Sequence, residues 1–185
     1  MRLKDIDPKK TVRFIGDIIH RGEHEAIDFK EHIKFFKEMN DEKNTQLFPL
    51  INLQIDAAIE KGYDTFLTTF ESIFEITATI VVLAFKHSCH KHIKLVYVTL
   101  RDHYSESQYY LNEIYRIHYN ETLELCTNVI EIEKSEWSHR SLDACKWFME
   151  CNSNMSFQCN PHHLCISDDK EKITITFPKV TKIKY

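Results

Sequence analysis

Apolar and polar residues alternate along several short stretches of the chain, and a two-residue period of this kind predicts β-strands. The segment 11–20 has apolar residues at Val12, Phe14, Ile18 and Ile19 and fits either a strand or a short helix. The other stretches that alternate, or that are rich in residues typical of strands, are 25–32, 63–72, 93–100, 110–119, 125–132 and 172–180. The chain is therefore predicted to be rich in strands.

Three longer stretches have the spacing of helices. The first, 46–62, carries Pro49 near its start and Gly62 as a signal for its C-terminal end. The second, 73–87, has the length of a buried helix, although its β-branched residues also suit a strand. The third, 134–151, opens at Ser135, a residue type that caps helices. Residues expected on the apolar faces of the first and third helices are Leu50, Leu53, Ala57, Ala58, Trp137, Leu142, Cys145, Phe148 and Met149.

Strands and helices follow one another without the regular alternation of a βαβ array. This order favours an α+β domain with a mixed, largely antiparallel sheet flanked by helices. The whole chain, 1–185, is predicted to form a single domain. The polar segment 152–165 is predicted to be a loop, so that 150–185 would consist of a loop and a terminal strand or hairpin.

Composition narrows the classes of function. The 185 residues are 43% apolar and 12% aromatic, which is typical of an ordered globule. Only three glycines occur, and this number excludes a glycine-rich phosphate-binding loop of either common type. The formal net charge of -4 provides no overall attraction to nucleic acid, so RNA binding would need a local basic patch or a partner subunit.

The chain has no apolar run of about 18 residues, the length that a membrane-spanning helix needs. Its first ten residues lack the apolar core of a secretion signal. Six cysteines without such a signal predict reduced thiols in the cytoplasm.

The candidate chemistry begins at residues 22–30, which read GEHEAIDFK. If 25–32 is a strand, Asp28 and Lys30 share the face opposite to the apolar residues. A neighbouring strand that ends at Glu71 would bring Glu71 close to Glu23 and Asp28. Three carboxylates in one place repel each other unless they hold a hard divalent cation, which can polarise a phosphate. Exposed charges at the ends of strands explain the same spacing equally well.

Four blocks, in order over residues 12–149, resemble the core domain of the Schlafen family. The first is Glu23 followed five residues later by an acid, an apolar residue and a lysine. The second is the helix and strand of 50–72 with Glu71 in the place of the third acid. The third is a His-x-Cys motif at 87–89, and the fourth is VIEIEKSEW at 129–137.

The resemblance implies a metal-dependent endoribonuclease. Glu23, Asp28 and Glu71 would bind Mg²⁺ or Mn²⁺ as the catalytic acids, and Lys30 would contact the phosphate. His87 and Cys89 would belong to a structural zinc site. The single lobe is similar to the subunits of a nematode complex that processes the 5′ ends of piRNA precursors, so the implied partners are RNA and other Schlafen-like subunits in a hetero-oligomer.

The sequence departs from the family pattern at several positions. Asp28 stands where a longer glutamate is usual. The adjacent cysteines of the zinc site fall near Leu111 and Asn112, so a zinc site at His87 and Cys89 stays one of two alternatives, beside an unliganded pair. A second function is therefore kept open: a non-catalytic Schlafen-like scaffold subunit that completes an RNA-binding clamp.

Two other groups of residues have chemical potential. Cys159, His162 and Cys165 are spaced compactly enough for zinc, but a polar loop with buried thiols explains them as well. The aromatic segment 104–119 suits base stacking, and equally the packing of a strand.

Overall fold

The structure is a computed structural model that describes residues 6–16, 47–69, 72–100, 123–132, 141–159 and 163–176. A short 3-10 helix at Pro8–Lys10 precedes the first strand. The strands are β1 (Thr11–Gly16), β2 (Thr65–Thr68), β3 (Lys94–Leu100), β4 (Asn128–Ile132), β5 (Met155–Cys159), β6 (His163–Ser167) and β7 (Lys172–Thr176). The helices are α1 (Leu47–Glu60), α2 (Ile73–Ser88) and α3 (Ser141–Cys151).

All seven strands belong to one sheet in the order β4-β3-β2-β1-β5-β6-β7. The five strands from β4 to β5 are parallel, and only β5, β6 and β7 pair in antiparallel fashion. A mixed sheet with flanking helices, as expected for an α+β fold, is confirmed. The expectation that the sheet is largely antiparallel is wrong. Helix α2, for example, returns the chain from the carboxyl end of β2 to the amino end of β3, so that these neighbouring strands run in the same direction.

The helices cover both faces of the parallel half. One hydrophobic cluster joins α1 and α2 to the sheet through Ile51, Ile55, Phe74, Ala78, Phe14, Phe66 and Phe157. A second cluster joins α3 to the opposite face through Cys145, Met149, Leu67, Val96 and Val98. A parallel sheet buried on both faces is the arrangement of doubly wound folds.

The predicted helix at 46–62 is confirmed, but its buried face differs from the expected one. Ile51, Ile55, Ala58 and Ile59 are buried, whereas Leu53 is 62% exposed. The expectation that Leu53 faces the core is therefore wrong. The true face follows the isoleucines, which recur every four residues, together with Ala58 three residues after Ile55. Gly62 ends this region with φ at 93°, as its position after the helix predicts.

The segment 73–87, for which strand and helix both remained open, is helix α2. Ser72 caps its N-terminus by accepting a hydrogen bond from the N–H of Glu75. The helix predicted at 134–151 is present as α3 from Ser141, with Cys145 and Met149 buried. Ser135 and Trp137 lie outside the described residues, and so does the side chain of Leu142.

The loop predicted at 152–165 is wrong, because this segment contains β5 and the start of β6. β5 pairs with β1 near the centre of the sheet, and its Met155 and Phe157 side chains are buried in the core. Ser156, which made the segment appear polar, is also buried, and its Oγ forms a 2.9 Å hydrogen bond with Ser167 Oγ. Nothing within the segment itself indicates these partners.

The other predicted strands are confirmed over shorter lengths as β1, β2, β3, β4 and β7. Those predicted at 25–32 and 110–119 lie outside the described residues. β1 is also linked to the start of β5 by a side chain, since Arg13 Nη1 donates to Ser153 Oγ at 3.0 Å. Burial lowers the pKa of this guanidinium, which the nearby Glu150 carboxylate partly offsets. None of the helices in the described residues is both long and apolar enough to span a membrane.

Candidate functional site at the carboxyl edge of the sheet

The acids singled out from the sequence all fall outside the described residues. Glu23, Asp28 and Lys30 belong to 17–46, the segment that follows β1, and Glu71 belongs to 70–71, which follows β2. The described residues that flank these segments are informative. β1 and β2 are adjacent and parallel, with Val12 paired to Phe66, so both connections start from the same edge of the sheet. This carboxyl edge is where doubly wound sheets bind ligands.

A buried glutamate joins the ends of these two strands. Glu75, in the first turn of α2, is 1% exposed. Its Oε1 accepts a 3.2 Å hydrogen bond from the N–H of Gly16 at the end of β1. Its Oε2 accepts from the N–H of Thr69 at 3.1 Å and from Thr69 Oγ1 at 2.7 Å, just after β2. One carboxylate therefore holds the two strand ends and the start of α2 together.

Gly16 allows this close approach of α2 to β1. A Cβ added at Gly16 would lie 1.8 Å from Ser72 Oγ and 2.4 Å from Ser72 Cβ. Such distances are far below van der Waals contact, so a residue with a side chain cannot occupy this position without moving the helix. Gly16 is required here for space and not for its backbone angles. The positive φ that favours glycine occurs at Gly62 among the described residues.

The N–H groups of Gly16 and Thr69 point to Glu75, so they are not available to bind an anion. In many sites at this edge, backbone N–H groups and the start of a helix hold a phosphate. Here a carboxylate already accepts hydrogen bonds from both strand ends. These two N–H groups therefore contribute nothing to the binding of a phosphate at this edge.

Glu75 did not emerge from the sequence as a candidate. The available signal was the spacing of Ser72 and Glu75, which matches the Ser-x-x-Glu capping box at the start of a helix. Ser72 plays its part in that motif as the N-cap. The carboxylate of Glu75 also reaches the strand ends, and only the three-dimensional structure reveals that contact.

His87 and Cys89, the expected zinc ligands, lie at the C-terminal end of α2, which is the opposite edge of the sheet. Both are exposed, and Cys89 Sγ lies 3.3 Å from Ser88 Oγ. The rings of His90 and His92 are near each other, with centroids 5.8 Å apart. Within the part of the chain that the structure describes, no group of three or more His, Cys, Asp or Glu residues is arranged to hold a metal ion.

The compact Cys159 to Cys165 spacing does not produce a metal site. Cys159 pairs with Leu164 across β5 and β6, so these two side chains share one face of the sheet. Cys165, the next residue after Leu164, therefore lies on the other face. The two thiols cannot bind the same ion, and the hypothesis of a zinc site that contains both is wrong. His162 lies outside the described residues.

None of the six cysteines forms a disulfide. Cys126 is partly buried, and burial raises the pKa of its thiol to about 12 even though the Lys86 ammonium acts in the other direction. Cys145 is buried within the second hydrophobic cluster. These two thiols are packing residues, whereas Cys89 and Cys151 are exposed.

Comparison with known proteins adds no relative to this description: no family model and no curated protein sequence matches the chain. The site therefore rests on the topology of the sheet and on the contacts of Glu75.

Proposed function

We propose that this chain is a metal-dependent endoribonuclease, or the catalytic subunit of one, with its site at the carboxyl edge of β1 and β2. The observation that carries the proposal is the bond of Glu75 to both strand ends. The connection with Glu23, Asp28 and Lys30 and the connection with Glu71 start from these two ends. The two connections that contain these residues therefore leave the sheet at the same edge.

The chemistry of the edge favours a cation. Glu23, Asp28 and Glu71 provide the carboxylate oxygens that Mg²⁺ and Mn²⁺ prefer. The strand-end N–H groups are occupied by Glu75, so they cannot neutralise the charge of a phosphate. A bound divalent ion would supply that neutralisation and a water molecule of lowered pKa. Lys30 would hold the phosphate oxygens and stabilise the charge that develops on them during cleavage.

The proposed substrate is a small-RNA precursor, such as a piRNA precursor, in the cytoplasm. The net charge of -4 is unfavourable for RNA binding by the chain alone. We therefore assign part of the RNA-binding surface to other subunits of a hetero-oligomer. The expected structural zinc at His87 and Cys89 would need further ligands from outside the described residues.

A second candidate is a non-catalytic subunit that binds a nucleotide or RNA at the same edge. The doubly wound arrangement favours it, because α1 and α2 cover one face of the sheet while α3 covers the other. Folds of this kind bind nucleotides where the strand order reverses, and here β1 occupies that place. In this case the acids would bind a ligand or its cation without cleavage.

The test compares Glu23→Ala and Glu71→Ala with wild type, first for Mn²⁺ binding by calorimetry and then for cleavage of a single-stranded RNA by the assembled complex. We expect each variant to lose Mn²⁺ affinity and to cleave at least about 100-fold more slowly. Glu60→Ala, which removes an exposed acid at the end of α1, is the matched control and should behave as wild type.

Two outcomes would contradict the nuclease. If wild type binds Mn²⁺ and RNA but leaves the RNA intact, the non-catalytic subunit is the correct function. If both variants cleave as well as wild type, these acids do not form the site.

A further inference from the structure

The connection between α2 and β3 is rich in basic side chains. Residues 86–94, here called the basic segment, contain three lysines and three histidines: Lys86, His87, His90, Lys91, His92 and Lys94. No aspartate or glutamate occurs from 76 to 101, so the flanking sequence places no acid beside them. The chain therefore carries a local group of cations although its formal net charge is -4.

The first lysine of the basic segment is bonded to neutral groups. Lys86 Nζ donates to Thr127 Oγ1 at 2.9 Å and to the carbonyl of Leu125 at 3.5 Å. Glu124, the acid next to Leu125, is exposed and forms no ion pair with any described residue. The ammonium group is thus held in place without loss of its charge to a carboxylate.

The last lysine of the basic segment also lacks an acidic partner within the described residues. The N–H of Lys94 donates to the carbonyl of Asp64 at 2.8 Å, but the Asp64 carboxylate accepts from a threonine hydroxyl at 2.7 Å. Lys61 shows the contrast, because it pairs with Asp168 at 3.6 Å and with Glu171 at 3.3 Å. Among the described lysines, those of the basic segment are therefore left to bind another anion.

The basic segment has a fixed shape because it is anchored in the core. Ile93 is 1% exposed, belongs to the first hydrophobic cluster and donates its N–H to the carbonyl of His90 at 2.9 Å. The ring of His90 lies 5.8 Å from the ring of Phe85. Lys91 and His92, between these anchors, are exposed. Cations on an ordered segment lose less conformational freedom on binding than cations on a flexible one.

The end of α2 explains only part of this arrangement. Cations stabilise the C-terminal end of a helix, and Lys86 and His87 lie in the last turn of α2. That effect falls off within one turn, whereas Lys91, His92 and Lys94 follow the helix. These three residues are the part of the basic segment that helix stability does not account for.

The chemistry of the exposed side chains favours nucleic acid as the partner. Apart from one thiol they are polar or charged: His87, Ser88, Cys89, Lys91 and His92. Attachment to a membrane surface or to a protein usually needs apolar side chains as well. Binding to the phosphates of a nucleic acid needs only cations and hydrogen-bond donors. The rings of His90 and His92, 5.8 Å apart, are also of the kind that stacks on unpaired bases.

We propose that the basic segment is a contact surface for the phosphate backbone of single-stranded RNA, at the edge of the sheet opposite to the proposed active site. The inference rests on the proposed function only for the choice of RNA, and it uses no residue of the metal site. It assigns to this chain a part of the RNA-binding surface that its net charge does not provide.

The experiment compares two double variants of the full chain that remove the same charge. Lys91→Gln/Lys94→Gln changes the basic segment. The matched control, Lys170→Gln/Lys172→Gln, changes two exposed lysines at the start of β7, which lies five strands away from β3. The affinity for a labelled oligouridine of about 15 nucleotides is measured by fluorescence anisotropy in EDTA. Circular dichroism verifies that both variants are folded.

We expect the basic-segment variant to bind at least about 10-fold more weakly at about 0.05 M salt. The slope of log affinity against log salt concentration should fall by about 0.7 for each phosphate contact that is lost. The control should stay within about twofold of wild type. If Lys91→Gln/Lys94→Gln does not fold, Lys91→Gln alone carries the test, because this exposed side chain should lose one contact without harm to the core.

An equal loss of affinity in the two double variants would overturn the inference, because RNA binding would then follow net charge alone. A wild-type chain that fails to bind oligouridine at this salt concentration would overturn it as well. Vesicles that contain phosphatidylserine and an oligoglutamate peptide are offered to the same proteins. If the basic-segment variant loses binding to either of these but keeps its affinity for RNA, the partner is a membrane or an acidic protein.

Binding in EDTA separates this inference from the proposed function. Loss of RNA affinity in the basic-segment variant, with no cleavage by wild type, would support the surface and contradict the nuclease. A basic-segment variant that binds RNA as wild type does, in a protein whose cleavage depends on Glu23, would contradict the surface and leave the nuclease intact.

Discussion

Gly16 stands at a close contact between the sheet and the start of α2. The N-cap Ser72 lies where a side chain on residue 16 would project, at 1.8 Å from the position of a Cβ. The same residue donates its N–H to Glu75. A single position therefore determines both how close the helix comes and how the end of β1 is fixed.

Gly16→Ala is expected to destabilise the protein by about 1–3 kcal/mol, because the new methyl group forces α2 and β1 apart. Ser72→Gly alone should cost only a few tenths of a kcal/mol, roughly the difference between serine and glycine as N-caps. The double variant removes the clashing Ser72 atoms, so we expect it to be more stable than Gly16→Ala. Urea denaturation followed by circular dichroism measures all three.

A double variant no more stable than Gly16→Ala would contradict this contact. The two substitutions would then act independently, as distant residues do. The result would mean that the clash is relieved elsewhere in the protein.

At the scale of elements, α1 shows which apolar residues determine the buried face of a helix. Its sequence offers apolar residues around much of the circumference, and the isoleucines at 51, 55 and 59 lie against the sheet. Ile55 is 0% exposed, while Leu53 is 62% exposed. Among the apolar residues of α1, the three isoleucines are therefore expected to contribute most to the stability of the fold.

Ile55→Ala and Leu53→Ala should separate these positions. We expect Ile55→Ala to cost about 2–5 kcal/mol, because it leaves a cavity between α1 and the sheet. Leu53→Ala should stay within about 0.5 kcal/mol of wild type, because the leucine contacts mostly solvent. Comparable losses of unfolding free energy in the two variants would show that the assigned face is incorrect.

Helix α1 was predictable because its signals are local: a period near four residues, Pro49 near its start and Gly62 after its end. For α2 only the length favoured a helix, and its β-branched residues left a strand open. β5 was missed although Met155, Phe157 and Cys159 alternate with Ser156 and Gln158. The polar residues around this short run suggested a loop, and its partner strand β1 lies far away in the sequence. The parallel direction of the strands also depends on tertiary packing. Glu75 escaped for a related reason, since a glutamate near the start of a helix is ordinarily exposed.

At the scale of the molecule, two hydrophobic clusters enclose the sheet, and the six thiols range from buried to exposed. Cys145 is 2% exposed beneath α3, and Cys126 is partly buried against the first hydrophobic cluster. Cys89 and Cys151 are exposed at the ends of α2 and α3. The rate at which Cys126 and Cys145 react with an alkylating reagent therefore indicates whether the two hydrophobic clusters remain packed.

We expect iodoacetamide to modify Cys89 and Cys151 in the folded protein, and Cys126 and Cys145 only after unfolding. The thiolate is the reactive form, and the pKa of about 12 keeps Cys126 protonated. Raising the pH from about 7 to 9 should leave Cys126 unmodified, because a thiol with a pKa of about 12 stays protonated over this range. Mass spectrometry of the peptides, with urea-unfolded protein as control, measures this. Rapid modification of native Cys126 would contradict its burial.

The pairing of β1 with β5 has a consequence for how the protein forms. Arg13 and Ser153, which bond across this junction, are 140 residues apart. Contacts of such long sequence separation raise the contact order and slow folding. During synthesis, β1 leaves the ribosome long before β5 has been made. The side of β1 that pairs with β5 therefore stays unpaired until residues 155–159 have been synthesised. A truncation before residue 155 would leave β1 as an open sheet edge, which is a template for aggregation.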